Sequence, residues 1–147
     1  MSSMLRISDA ASLAMHAMVL LAVNPGKEVS NRHIASRLNA SEAHLSKVLQ
    51  RLAKAGLVTS TRGPKGGFAL QSQPDQVRLL DVYQAIEGSL VPNHCLLGTR
   101  ICDGERCILG DLLETVDRQI REYLSGTNLS ELTGVYRSRV RPLQEAS

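Results

Sequence analysis

Residues 29–70 read VSNRHIASRLNASEAHLSKVLQRLAKAGLVTSTRGPKGGFAL, and the punctuation of this stretch decides the fold. Ser30 is placed to cap a short helix over Asn31 to about Leu38, whose Ile34, Ala35 and Leu38 share one apolar face. Asn39-Ala40-Ser41 interrupts the pattern, and Ser41 caps a second helix with Leu45, Val48, Leu49 and Leu52 at i, i+3, i+4 and i+7. Ala55-Gly56 ends it. Two short helices joined by a tight polar turn form a helix-turn-helix pattern. A structural helical hairpin would read the same way. The next residues separate the two readings. Leu57 to Thr61 is β-prone, Phe68-Ala69-Leu70 returns, and Arg62-Gly63-Pro64-Lys65-Gly66-Gly67 makes a tight basic tip between them. A basic hairpin directly after a helix-turn-helix is a winged helix.

Outward from this centre the chain is mostly helical. Ser8-Asp9 opens the apolar run DAASLAMHAMVLLA, which Asn24-Pro25-Gly26 stops. Apolar residues surround that helix on nearly all sides, so it belongs in the core, with His16 an ordinary satisfied or partly exposed histidine. After a break at Pro74-Asp75, Val77 to Glu87 reads as an amphipathic helix ended by Gly88. Residues 89–106 show no sustained period and read as a loop. From Cys107 a helix of roughly twenty residues, about 30 Å long, carries Leu109, Leu112, Leu113, Val116, Ile120, Tyr123 and Leu124 at helical spacing. A Ser-capped tail helix, SELTGVYRSRV, follows, and its Arg137, Arg139 and Arg141 read as solvated charges. The expected organisation is a DNA-binding unit over 1–88, a cysteine loop over 89–107, and a dimerisation helix with its tail over 108–147. The fold class is mostly α with a small β wing.

Composition supports this reading. The 147 residues are 43% hydrophobic but only 3% aromatic, with no Trp. Leu, Ala, Val and Ile must therefore fill the core, as they do where helices pack on helices. The apolar stretches are too short and interrupted for a membrane span, and the N-terminus lacks a basic-then-apolar leader. The expected compartment is the cytoplasm, with no membrane partner. Net charge is +3, but its distribution is uneven. Eight Lys/Arg face two acids between Lys27 and Lys65, and seven acids face three arginines between Ile101 and Val135. A basic half suits phosphate binding, although a solvated surface also carries such an excess. Side chains placed to reach duplex DNA are Ser30 and Arg32, then Ser41, Glu42, His44, Lys47 and Arg51 on the second helix, and Arg62 and Lys65 on the wing.

All three cysteines lie in CLLGTRICDGERC, residues 95–107, spaced C-x6-C-x4-C. In a reducing compartment such a set points to metal or redox chemistry rather than a disulfide framework. Zinc ribbons carry closer pairs and four ligands. Three soft thiolates plus one other donor suit an iron–sulfur cluster. A zinc site, a thiol–disulfide switch and inert thiols remain alternatives. No nucleophile–base pair, P-loop or GxGxxG is present, so an enzyme is not expected.

The segments HLSKVLQRLAKAGLVTSTRGPKGGFAL and LLDVYQAIEG, followed by a three-cysteine loop, resemble the Rrf2 family of winged-helix transcription regulators. The likeness runs from about Ile7 to Leu124, and the RGPKGGF wing and cysteine loop are its most specific parts. It implies a homodimeric regulator, a repressor in the expected reading, that binds a palindromic operator. It also implies one iron–sulfur cluster per subunit, with 4Fe–4S favoured over 2Fe–2S, sensing redox state, nitric oxide or iron–sulfur status. On this resemblance Cys95, Cys102 and Cys107 are the cluster thiols. IscR-like members place a histidine three residues after the last cysteine, where this chain has Gly110. NsrR-like members use an aspartate near the start of the first helix, donated by the other subunit, and Asp9 stands in the matching place. His94 and His33 are further candidates for the fourth ligand.

Overall fold

The computed structural model describes residues 7–92, 95–97 and 99–137. The described helices are α1 (Asp9–Ala22), α2 (Asn31–Leu38), α3 (Glu42–Lys54), α4 (Leu79–Glu87), α5 (Leu112–Gly126) and α6 (Gly134–Arg137). Strands β1 (Val58–Thr61) and β2 (Gly67–Leu70) pair antiparallel between α3 and α4, from Val58 opposite Leu70 to Thr61 opposite Gly67. The architecture is thus mostly α with a two-stranded wing.

α1 is the central post. The Ser8 hydroxyl caps it by accepting from the Ala11 amide at 3.1 Å. Ala11, Ala14 and Ala17 are fully buried, and their small side chains let α3 and α4 approach its axis closely. Around them lie Met18, Leu21, Ile34, Leu45, Leu49, Leu52, Val82 and Leu129, all with almost no exposure. Phe68, the sole phenylalanine, closes the core from the wing side. The same core takes in Leu124 and Leu129, so residues from the 108–147 segment pack with those of 1–88.

Three helix boundaries differ from the sequence reading. The segment before α4 is not helical from Val77, because Val77 and Arg78 are extended. They are extended because they pair with the returning chain: the Leu79 amide donates to the Thr127 carbonyl and the Leu129 amide to the Val77 carbonyl, both at 2.9 Å. α5 has 15 residues, about 22 Å, rather than roughly twenty. Gly110 sits at φ +60 and residues 107–112 close i→i+3 turns, so the helix starts only at Leu112. The tail forms a 3-10 turn over Leu129–Leu132, capped by Asn128 instead of a serine, and then the short α6. Arg139 and Arg141 lie outside the described residues.

α4 begins with a reciprocal cap. The Asp81 carboxylate accepts from the Arg78 amide at 2.9 Å and from its guanidinium at 2.9 Å. Burial pushes the Asp81 carboxyl up, but the hydrogen bonds and charge of Arg78 together outweigh this and hold it below its ordinary value. The cap therefore contributes in full above that ordinary value, near pH 4, and its contribution drains away as pH falls through the lower folded value. We expect Asp81→Ala to be less stable than the parent at pH 7, with the gap narrowing below about pH 4. Denaturant midpoints measured from pH 7 to pH 3 check this; a constant gap would show that the ionised cap is not its source.

Candidate nucleic-acid interface and thiol pocket

The helix pair is held at its two N-termini. Ser30 accepts from the His33 amide at 3.1 Å and Ser41 from the His44 amide at 3.3 Å. Asn39, at φ 51, turns the chain between the helices in a left-handed conformation that asparagine tolerates. The Asn31 side-chain amide then donates to the Glu42 carbonyl at 3.0 Å, which fixes the start of α3 against α2. α3 buries Leu45, Val48, Leu49 and Leu52, and leaves Glu42, His44, Lys47 and Arg51 exposed. With the exposed Ser41 cap they give α3 a polar surface. Ser30 and Arg32 are exposed at the start of α2. Arg51 differs from the others, because its guanidinium donates to the Ile86 carbonyl at the end of α4.

The wing is pinned to this helix pair through backbone. Val29 and Phe68 exchange two amide–carbonyl bonds, 2.9 and 2.8 Å. The Thr61 hydroxyl donates to the Glu28 carboxylate. Arg62 and Lys65 stand exposed on the tip, where Gly63 adopts φ +108 and the Gly66 amide donates back to the Gly63 carbonyl. The sequence reading missed Val29 and Glu28 as the fastening of the wing. A β-branched residue just before a helix cap was the only signal, and it is a weak one.

The thiols form a separate site. Cys95 is half-buried, Cys102 and Cys107 are exposed, and none is in a disulfide. All three line a pocket of about 300 Å³ together with Arg100 and Arg106. They also line an adjoining, almost wholly apolar pocket of about 200 Å³ walled by Leu96, Leu97, Ile101 and Ile108. A hydrogen bond from Arg100, reinforced by the Gly104 amide, holds the Cys102 thiol below the usual range and favours its thiolate. The Leu109 amide points at the Cys107 sulfur at 3.5 Å. Among the described residues, no three His, Cys, Asp or Glu side chains gather closely enough to hold one metal ion. Three thiols around one pocket, an apolar wall and a favoured thiolate are the donor chemistry an iron–sulfur cluster needs.

Asp9 does not join the thiols within the chain. It lines a different cleft of about 390 Å³ with His16, Ser41 and His44, beside the start of α3. His33 lines a third, with Lys27, Arg37 and Tyr136. His16 is exposed and its Nδ1 lies 2.6 Å from the Ser12 carbonyl. His94 lies outside the described residues. No helix among the described residues is long and apolar enough to cross a membrane.

A buried-backed helix pair with a polar face, followed by a basic hairpin, is the DNA-binding unit of winged helix-turn-helix proteins. Comparison with known proteins gives the family. Residues 7–134 match the model of the Rrf2 family, described as iron-dependent transcriptional regulators, and the chain belongs to that family. It is 32% identical over 130 residues to the transcriptional regulator IscR of Sodalis glossinidius, covering 87% of this chain and 78% of that one. The fold is similar to CymR, the global cysteine regulator of B. subtilis, at 30% identity and a TM-score of 0.75, covering 90% of this chain and 98% of that one. It is also similar to T. potens IscR, at 29% identity and a TM-score of 0.70, covering 92% of each chain. The family and these relatives are transcriptional regulators, not enzymes.

Gly67 tests the fastening of the wing. A Cβ there would meet the Val29 carbonyl oxygen at 2.5 Å and its carbon at 2.6 Å, both backbone atoms that cannot swing aside. We expect Gly67→Ala to cost about 1–3 kcal/mol of stability, as overpacking does. Urea unfolding measures it, and a loss below a few tenths of a kcal/mol would show that the wing moves freely relative to α2.

Proposed function

We propose that the chain is a homodimeric repressor whose grip on a palindromic operator is set by an iron–sulfur cluster held in the 95–107 loop. The observation that carries this reading is the convergence of Cys95, Cys102 and Cys107 on one pocket with an apolar wall, in a chain whose other half is a winged helix. In the proposed assignment these three cysteines are ligands, 4Fe–4S is favoured over 2Fe–2S, and the partner subunit's Asp9 is the fourth donor. When bound, such a cluster supplies bonds that oxidants, nitric oxide or iron shortage can break.

The residues of the chain do the rest. Arg100 keeps Cys102 ready to ligate. Leu96, Leu97, Ile101 and Ile108 line an apolar pocket beside the thiols. Ser41, Glu42, His44 and Lys47 enter the major groove, and Ser30, Arg32, Arg62 and Lys65 track phosphates. The dimer is supported by α5, whose Leu113 and Leu124 face the core while Leu112 and Tyr123 remain 48% and 58% exposed along a second edge. A two-fold pair of α5 helices covers that edge and sets the spacing of the two recognition helices. Loss of ligation frees the loop, and a coupling of about 1–3 kcal/mol changes operator affinity roughly 5- to 150-fold.

A second reading, a thiol switch or zinc site without iron, draws on the likeness to a cysteine regulator. Anaerobic purification separates the two. We expect a brown protein with iron and acid-labile sulfide in near-equal amounts and visible absorption, all lost in Cys102→Ala along with the wild-type operator affinity. A colourless protein containing zinc, or no metal, sinks the cluster reading. For the DNA face, Arg62→Ala and Lys65→Ala should each weaken binding and each lower the slope of log affinity against log salt by about 0.9. An unchanged slope would remove the wing from the phosphate contacts.

A further inference from the structure

The chain enters the cysteine loop through residues 86–90, and three separate elements hold that strip. Arg51 on α3 donates from Nη2 to the Ile86 carbonyl at 2.5 Å. Arg121 on α5 donates from Nη2 to the Leu90 carbonyl at 2.6 Å, while its Nε is fixed by Asp117 at 2.8 Å. Ser8, the cap of α1, donates to the Glu87 carboxylate. Between the two carbonyls Gly88 turns the chain at φ +80. Ile86 ends a helix, so its carbonyl lacks an intrahelical partner. A guanidinium gives that carbonyl a charge-assisted hydrogen bond, and its charge suits a helix C-terminus.

This placement sets Arg51 apart from the other cations of α3. Lys47 is exposed on α3, whereas Arg51 directs its Nη2 to the strip that leads to Cys95. We infer that Arg51 and Arg121 are positioning residues that carry the state of the cysteine loop to the recognition helix. Arg51 ties α3 to the near end of the strip. Arg121 ties α5, the helix that leaves the loop, to the far end. A shift of the loop then moves a strip bonded at both ends, and the recognition helix moves with it. The two hydrogen bonds give a contiguous path from the loop entry to the recognition helix, and the affinity ratio measured below decides whether that path carries coupling. The inference rests on the proposed cluster-controlled grip and names the residues through which that control acts.

The test uses the full chain, loaded anaerobically and cluster-free, against a duplex selected from random DNA by the wild-type protein. The wild type is expected to show a 5- to 150-fold affinity ratio between its two forms. Arg51→Met and Arg121→Met should keep the visible spectrum and the salt slope, while that ratio collapses to within about twofold. Arg51→Gln, a neutral side chain that still donates, should recover part of the ratio. It keeps the experiment decisive should the methionine variant fold poorly, as judged by its melting curve. A ratio retained in both methionine variants overturns the inference. For Arg51, equal weakening of both forms with a salt slope smaller by about 0.9, unrescued by glutamine, makes it a phosphate contact instead. A wild type whose two forms bind alike refutes the underlying function, an outcome distinct from a failure of the two arginines.

Discussion

Two backbone hydrogen bonds between Val29 and Phe68 hold the DNA-facing half of this protein together. Val29 immediately precedes the cap of α2, and Phe68 lies in the second strand of the wing. Their pairing puts the capped start of the first helix and the base of the wing in fixed register. It uses no side-chain chemistry, and Gly67 shows what it demands: a residue with no Cβ where strand and loop backbones meet. A winged helix reads a duplex with a helix and a hairpin at once. Both readers have to be fixed to a common base, and here that base is a short third strand in all but length. Asn31 extends the same logic to α3 by bonding the Glu42 carbonyl.

The thiol loop follows the opposite principle. Among its described residues only Leu90 packs against the core, while Ile101 is 84% exposed and Ile108, just beyond the loop, 92%. Each residue fixed in place costs about 1–2 kcal/mol of backbone entropy, and this loop gains little burial to offset that. In the proposed reading its order comes from the cluster it holds and from the partner subunit that covers it. In the proposed dimer, the apolar wall beside the thiols and the exposed Leu112 and Tyr123 of α5 give a partner surface something to cover. A segment of low intrinsic stability at that position is suited to responding to the state of its ligands.

The fold was largely legible because its determinants are local. Ser30 and Ser41 as caps, the leucine spacing of α3, and the glycines of the wing act within a few residues of the boundaries they set, and the structure places α2 and α3 where these signals do. The mismatches arise from long-range terms. Val77 and Arg78 look helical by composition, but pairing with residues 127–129, some fifty positions on, extends them. The start of α5 was misread because Leu109 continues the apolar stripe, while the positive φ of Gly110 breaks the helix. At the site, the residue types of the thiol pocket were visible, but the Arg100–Cys102 bond and the apolar wall were not, since both depend on how an aperiodic loop closes. Arg51 is the clearest case. By spacing it shares the exposed face of α3 with Lys47, and only the packing of α4 shows where its guanidinium goes.

That packing also bears on why the regulator is built on so small a frame. α1 meets α3 and α4 through a face of alanines, and the Ser8 cap at its N-terminus touches Glu87 on the strip that enters the loop. Asp9 is the next residue. In the proposed dimer, each subunit's Asp9 serves the other's cluster, so one helix end holds its own loop entry through Ser8 and its partner's loop through Asp9. Ligation at one subunit would then bear on the helix post of the other, and the two recognition helices would respond as a pair. An operator with two half-sites about 34 Å apart selects for their joint placement. Control exerted on the pair therefore needs a smaller structural change than control exerted on either reading head alone.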